Sequence, residues 1–413
     1  MSKRTPEGAW ESRPTWETLE RYARGKVQEL LQALLEEEVT ELLGRKKSER
    51  REAVDAAVGY RNGYGKRRRL SMQGGTVELR RPRVRGLEEK FESRLLPLFK
   101  RRTEAVGALL PELYLHGLSK GDFELALRGL LGEGAPLSAS SIERLRAKWD
   151  VEYEEWARRD LSDCELVYVW ADGVYVKAGL ESEKAVLLVV IGAMKDGRKE
   201  ILAVRPGYRE SKESWKAVFR DLKGRGLQAP KLLVADGNAA AWAAVSEVWP
   251  ESREQRCWNH KIVNVLDQLP KKLQDAAREL VCQIPYAPTR ATAVKRREDF
   301  ARRYRKSHPN AVAILEKDWE RMVAFYDFPE EHWKHLRTTN VIESPFAAVR
   351  LRTDAAKRFK RVANATAMIW KVLLVGESRF RRLNAPELLA EVYRGVKFED
   401  GKAVSRSSRK VAA

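Results

Sequence analysis

The chain has 413 residues, enough for two or three domains with separate cores, and 79 Lys and Arg against 59 Asp and Glu leave a net charge of +20. Residues 59 to 102 alone hold 14 basic and 4 acidic side chains, a net +10 (14 − 4), so the excess is clustered and calls for a polyanionic partner, nucleic acid first. Cys164, Cys257 and Cys282 make no disulfide framework, the N-terminus lacks a signal-peptide core, and apolar runs such as "AVLLVVIGAM" are too short to span a bilayer, so membrane roles are set aside and a cytoplasmic protein is expected.

From Trp16 to about Ala57, "TLERYARGKVQELLQALLEEEVTELLG" places Leu and Val at helical spacing, which predicts one or two amphipathic helices. The next segment, "GYRNGYGKRRRLSMQGGTVELRRPRVRG", combines turn-forming glycines with the alternating "TVELRRPRV" and predicts a small cationic β element. Its candidate phosphate contacts are Arg61, Lys66, Arg67, Arg68, Arg69, Arg80, Arg81, Arg83 and Arg85. Residues 104 to 158 return to helix. "KGDFELALRGLLG", the break "EGAPLSAS" and the capping-box start Ser140 with Glu143 outline a helix-turn-helix, whose second helix would turn Ser141, Arg144, Arg146 and Lys148 toward a major groove. A helical hairpin with a plain packing role has the same outline.

After Glu165 the period becomes that of strands. "LVYVWA", "KAVLLVVIGAM" and "KEILAVRP" read as strands, the last two joined by "KDGR"; a helix "KESWKAVFRDLKGRG", a strand "KLLVA" and a helix "NAAAWAAVSEVW" follow. This βββαβα order is that of an RNase H-like α/β fold, in which the first strand is central and the fourth pairs beside it. Asp172 and Asp236, each followed by Gly at an expected strand end, would then stand together although 64 positions (236 − 172) separate them. Either Asp-Gly alone reads as a turn. As a pair they repel unless a cation sits between them, and hard divalent ions bind such carboxylates, a pair of ions about 4 Å apart clamping both oxygens of a phosphoryl transfer.

A third acid is expected from a late helix. Glu343 follows the helix start Thr338, Thr339 and Asn340, and from residue 344 to 383 there are 10 basic and 2 acidic side chains, among them Arg350 and Arg352 as further DNA contacts. Cys257 and His260 in "CWNHK" have a C-x-x-H spacing, but structural zinc takes four ligands and no second pair lies nearby in sequence, so an active-site positioning role is expected. Trp215, Trp242 and Trp258 are expected in the core.

"WADGVYVK", "VADGNAAAW", "RCWNHKIVNV" and "RTTNVIESPFAAVRLRT", in this order, resemble the core motifs of bacterial insertion-sequence transposases of the Mutator type, and "YRNGYGKRRRL", "LYLHGLSKGDFELAL" and "SASSIERL" resemble that family's N-terminal part. The resemblance implies an RNase H-like catalytic domain interrupted by a helical insertion, a D-D-E triad of Asp172, Asp236 and Glu343 holding two Mg²⁺ or Mn²⁺ ions, and DNA cleavage with strand transfer. It implies terminal inverted repeats and target DNA as partners, a homodimer or higher oligomer, and nucleoid association. The glutamate motif departs from the commoner family form at Val341 and Pro345. The expected divisions are 1–58 helical, 59–103 basic β element, 104–158 helix-turn-helix-like, 159–256 first part of the catalytic core, 257–334 helical insertion, 335–385 last part of the core and 386–413 tail. Two rivals share part of the pattern: another RNase H-like nuclease such as a resolvase, and a DNA-binding regulator without catalysis.

Overall fold

The computed structural model describes residues 14–49, 59–118, 126–128, 131, 139–178, 185–207, 209–237 and 239–404. They form two compact units that divide after Leu145, and the structure is mixed α/β.

In the first unit a 3₁₀ turn (Trp16–Thr18), closed by a reciprocal Thr15–Thr18 capping box, leads into a long helix, α1 (Leu19–Leu43), which stops at Gly44, whose left-handed φ of 62° ends it. Leu35, Val39 and Leu43, four residues apart, form its buried stripe. Strands β1 (Tyr60–Met72) and β2 (Gly75–Arg85) pair as an antiparallel hairpin with irregular register between Arg61 and Arg67. Alternation in β2 turns Val77 and Leu79 inward, where they meet Leu35 and Leu96. The outer edge of β2 is closed by α1: Gln28 and Gln32 side-chain oxygens accept from the Glu78 and Arg80 amides at 3.0 and 2.9 Å, standing in for a missing strand. Helix α2 (Glu104–Leu115) follows.

Helix α3 (Ala139–Ala157) runs across the division. From Arg146 it belongs to the second unit, so that unit begins before the expected boundary at residue 159. Trp149, Tyr153 and Ala157 are buried; the Tyr153 hydroxyl donates to the Val204 carbonyl at 2.8 Å. Of the first helix of the expected helix-turn-helix only residues 126–128 and 131 are described, with Leu127 and Leu131 buried, and Ser141 lies outside the residues whose side chains are described.

The second unit is built on a five-stranded sheet, β3 (Leu166–Val176), β4 (Ala185–Met194), β5 (Lys199–Gly207), β6 (Leu232–Ala235) and β7 (Arg253–Arg256), in the order β5-β4-β3-β6-β7. The first three strands are antiparallel; β6 and β7 run parallel to β3. β3 is central, as its sequence predicts, but it does not end at Asp172. "GVYV" continues the alternation and holds ladder pairs to Val176, so Asp172 lies inside a strand and Gly173 is not a turn residue. The fifth strand, the four-residue "REQR", carries too little apolar patterning to be legible in sequence.

Helices α4 (Lys212–Gly224) and α5 (Ala239–Val248) cover one face of the sheet, burying Trp215, Phe219, Trp242 and Trp249 against Val169, Ala171 and Leu233. The opposite face of β3 carries Tyr168 and Trp170, whose polar atoms bond the His332 ring at 2.9 Å and the His335 carbonyl at 3.0 Å. Between β7 and residue 339 the described elements are all helical: α6 (Trp258–Leu266), α7 (Lys271–Gln283), α8 (Arg290–Tyr304), α9 (Pro309–Glu316), α10 (Trp319–Met322) and α11 (Trp333–Leu336), with short 3₁₀ turns. Helices α12 (Asn340–Ala356) and α13 (Val362–Glu377) complete the core, Trp370 of α13 packing on Tyr153 and Trp156 with ring centroids 5.7 Å from each. The expected tail contains a helix, α14 (Pro386–Tyr393), and a minimal hairpin, β8 (Phe398–Glu399) with β9 (Lys402–Ala403).

Candidate active site

The parallel pairing of β3 with β6 sets Ala171 opposite Ala235. The next residue on each strand is an aspartate, so Asp172 and Asp236 emerge side by side from neighbouring strands. One strand further, Ala235 is opposite Arg256, and the Cys257 amide donates to the Ala235 carbonyl at 2.8 Å. "RCWNH" is thereby fixed beside Asp236 by the sheet itself. Gly237 has a φ of +109°, and a Cβ there would lie 2.7 Å from Arg256 Cζ; the glycine leaves room for the guanidinium, whose Nη1 donates to Asp318 at 3.0 Å.

Glu343 reaches this place from the first turn of α12. The fully buried Thr339 immediately precedes that helix, and its side chain makes no backbone cap. Instead its hydroxyl is within hydrogen-bond reach of both the Glu343 carboxylate and the Cys257 sulfur, the latter at 3.1 Å, and donates its one proton to one of them at a time, while its amide donates to the same sulfur at 3.3 Å. Thr339 therefore joins the head of α12 to the end of β7. The sequence marks it only as a helix start, and that reading hides this link. His260, in the first turn of α6, sets Nδ1 3.7 Å from Glu343 Oε1. Cys257, His260 and Glu343 thus present three ligand atoms within 4.8 Å of one another. Sequence spacing predicts only two such groups in reach; the fold adds the third.

Electrostatics tie these residues together. The Asp172 carboxyl is pushed up to about 7, first by burial, against the Gly173 amide that bonds it, and further by Asp236, Glu210 and Glu343. His260 is raised to about 9, first by the Cys257 sulfur and also by Glu343 and Asp236, with burial opposing. The two carboxylates favour imidazolium whatever the protonation of the sulfur. Glu210, between β5 and α4, enters this field although no sequence motif marks it.

The expected DNA contacts divide by environment. Lys66, Arg67, Arg69, Arg80, Arg83 and Arg85 are exposed on the hairpin, and Arg144, Lys148 and Arg350 are exposed on α3 and α12. Arg81 and Arg146 are half-buried. Arg61 is committed to Glu36 at 2.7 Å and Thr40 at 2.7 Å, and Arg68 donates to the Lys100 carbonyl at 2.8 Å, so both brace the first unit. Arg352 is 2% exposed and is removed from the set of surface phosphate contacts.

The raised Asp172 has a measurable consequence in metal-free protein. Its folded pKa near 7 exceeds the ordinary 3.8, so the folded chain binds the extra proton between those values and stability falls as pH rises through that window. The stability difference between wild type and Asp172→Asn, from chemical denaturation at pH 4 and pH 7, is expected to shift by on the order of 3 kcal/mol, with the variant gaining toward pH 7. A difference independent of pH would contradict the burial of this carboxyl among other acids.

The family described as "Transposase, Mutator family" matches residues 11–381. The transposase for insertion sequence element IS6120 of Mycolicibacterium smegmatis is 46% identical over 298 residues, 72% of this chain and 92% of that protein. The transposase for element IST2 of Acidithiobacillus ferrooxidans is 43% identical over 278 residues, 67% of this chain and 94% of its own length. The transposase for element ISRM5 of Rhizobium meliloti (strain 1021) is 32% identical over 353 residues, covering 84% of this chain and 85% of that one. With its acid-bearing strands and late helix inside the matched span, the chain belongs to the Mutator family of transposases.

Proposed function

We propose that the second unit is an RNase H-like catalytic core and that the protein binds the terminal inverted repeats of its element, cleaves the ends, and joins the 3′ hydroxyls to target DNA. The observation that carries this reading is the convergence of Asp172, Asp236 and Glu343 from β3, the end of β6 and the head of α12. The strand order, with a central first strand and a parallel fourth beside it, supports the fold assignment.

The acids fit a divalent cation. They offer hard oxygen donors, and Asp172 rises to about 7 first through burial and then through Asp236, Glu210 and Glu343, a repulsion that an added Mg²⁺ or Mn²⁺ would relieve. Asp172, Asp236 and Glu343 would hold two such ions, which supply charge neutralisation and polarise the attacking and leaving oxygens of phosphoryl transfer. Thr339 orients the Glu343 carboxylate, and His260 as imidazolium stands next to it, placed to donate to a phosphate oxygen. Exposed Arg350 lies on the glutamate's own helix, and the exposed hairpin cations of the first unit are suited to phosphate contacts. The C-x-x-H pair acts in positioning: a cation held by Cys257, His260 and Glu343 would draw Glu343 away from the aspartates.

Asp172→Asn, Asp236→Asn and Glu343→Gln are each expected to lower cleavage of a labelled element end in Mg²⁺ by on the order of 10³-fold while end binding in a gel-shift assay persists. Any one of them that cleaves normally is not a member of the triad. Neutralising Lys66, Arg67 and Arg69 together should weaken binding to end and random DNA alike and flatten the salt dependence; an unchanged salt slope would remove the hairpin from the interface. Elemental analysis of purified protein should find no stoichiometric zinc, and His260→Ala should reduce cleavage by roughly 10². About one zinc per chain would replace the positioning role with a metal site.

A further inference from the structure

Gly173 sits inside β3, paired with Leu188, and its φ lies outside the left-handed region, so backbone conformation does not require a glycine there. Space does. A Cβ on Gly173 would collide with Glu210 Oε1, would lie 2.8 Å from Glu210 Cδ and would lie 3.0 Å from Val186 Cγ2. The place where this strand residue would carry its side chain is filled by the carboxylate of Glu210, which comes from the short segment between β5 and α4. The Tyr175 hydroxyl, two residues along and on the same face of the strand, hydrogen-bonds that carboxylate. Glu210 is thus seated against the backbone at Gly173, bonded by Tyr175 and close enough to Asp172 to oppose its ionisation. Glu213, three residues later in the first turn of α4, is exposed and has no such seat.

We propose that Glu210 is a fourth carboxylate of the cation site, admitted beside Asp172 through the space that Gly173 leaves open, and that it supplies a further oxygen donor to a divalent ion held there. The inference rests on the cation-binding reading of Asp172, Asp236 and Glu343. A buried carboxyl beside three other acids is costly unless positive charge arrives, and an acid that is also sterically accommodated adds to the demand for a cation as well as to its ligands. Glycine after the first aspartate then has a chemical purpose: any side chain at 173 would push the fourth acid away while leaving the strand in place.

Mn²⁺ binding to the purified full-length chain, read from the free-ion signal in electron paramagnetic resonance without DNA, tests this apart from catalysis. Glu210→Gln is expected to weaken Mn²⁺ binding about tenfold or more, and Gly173→Ala by a similar factor, because the new methyl displaces the flexible end of Glu210. The double variant should bind no more weakly than either single one, since the same carboxylate is lost once. Glu213→Gln should bind as wild type, and circular dichroism should show all variants folded. Wild-type affinity in Glu210→Gln, with binding lost in Asp172→Asn, would overturn the fourth carboxylate and leave the triad standing. Unchanged Mn²⁺ binding in Asp172→Asn would overturn the cation-site reading and this inference with it.

Discussion

The parallel register of β3, β6 and β7 is the constraint on which the rest of the second unit depends. Ala171, Ala235 and Arg256 are neighbours across three strands, and the residues that follow them are Asp172, Asp236 and Cys257. No flexible loop has to find its partner. Both faces of these strands are covered, one by α4 and α5 and the other by the helices around His332, so a one-residue slip would exchange the side chains of the two faces and break the packing on both. The sheet thus converts strand pairing into placement of charge.

That placement is electrostatically unfavourable in isolation. Asp172 holds its proton to about 7 because burial and three nearby acids oppose its ionisation. Opposing contacts come from the second layer: Thr339 on Glu343, the Cys257 sulfur under Thr339, and the His260 ring beside the same carboxylate. Collectively repulsive acids with such support are consistent with the cation proposed for the site. Rigidity comes from the backbone bond between Cys257 and Ala235 and from the Asn259–Asn340 side-chain contact at 3.1 Å, which again joins α6 to α12.

Much of this was legible in sequence because it depends on local pattern. The apolar run "LVYVWA", the tight "KDGR" turn with Gly197 at φ +84°, and the helical runs around Trp215 and Trp242 put the strands and helices in the right order. Legibility stopped where tertiary packing decides. The Asp-Gly inside β3 has the composition of a turn but lies in a ladder, since β4 extends alongside it; the space at Gly173 is taken by Glu210, 37 positions away (210 − 173). β7 is four polar residues that become a strand only because β6 offers an edge. Arg352 and Arg61 read as surface cations within basic runs, yet one is buried and the other pairs with Glu36. Charge clustering identifies a cationic segment; it does not say which of its members face water.

The central claim is that Asp172, Asp236 and Glu343 are the shared ligands of divalent ions. Crystals grown with Mn²⁺ and a short element-end DNA, measured at the manganese absorption edge, address it directly. The account predicts anomalous density between the carboxylates of Asp172, Asp236 and Glu343. Density confined to the Cys257, His260 and Glu343 group, with none at the two aspartates, would contradict it.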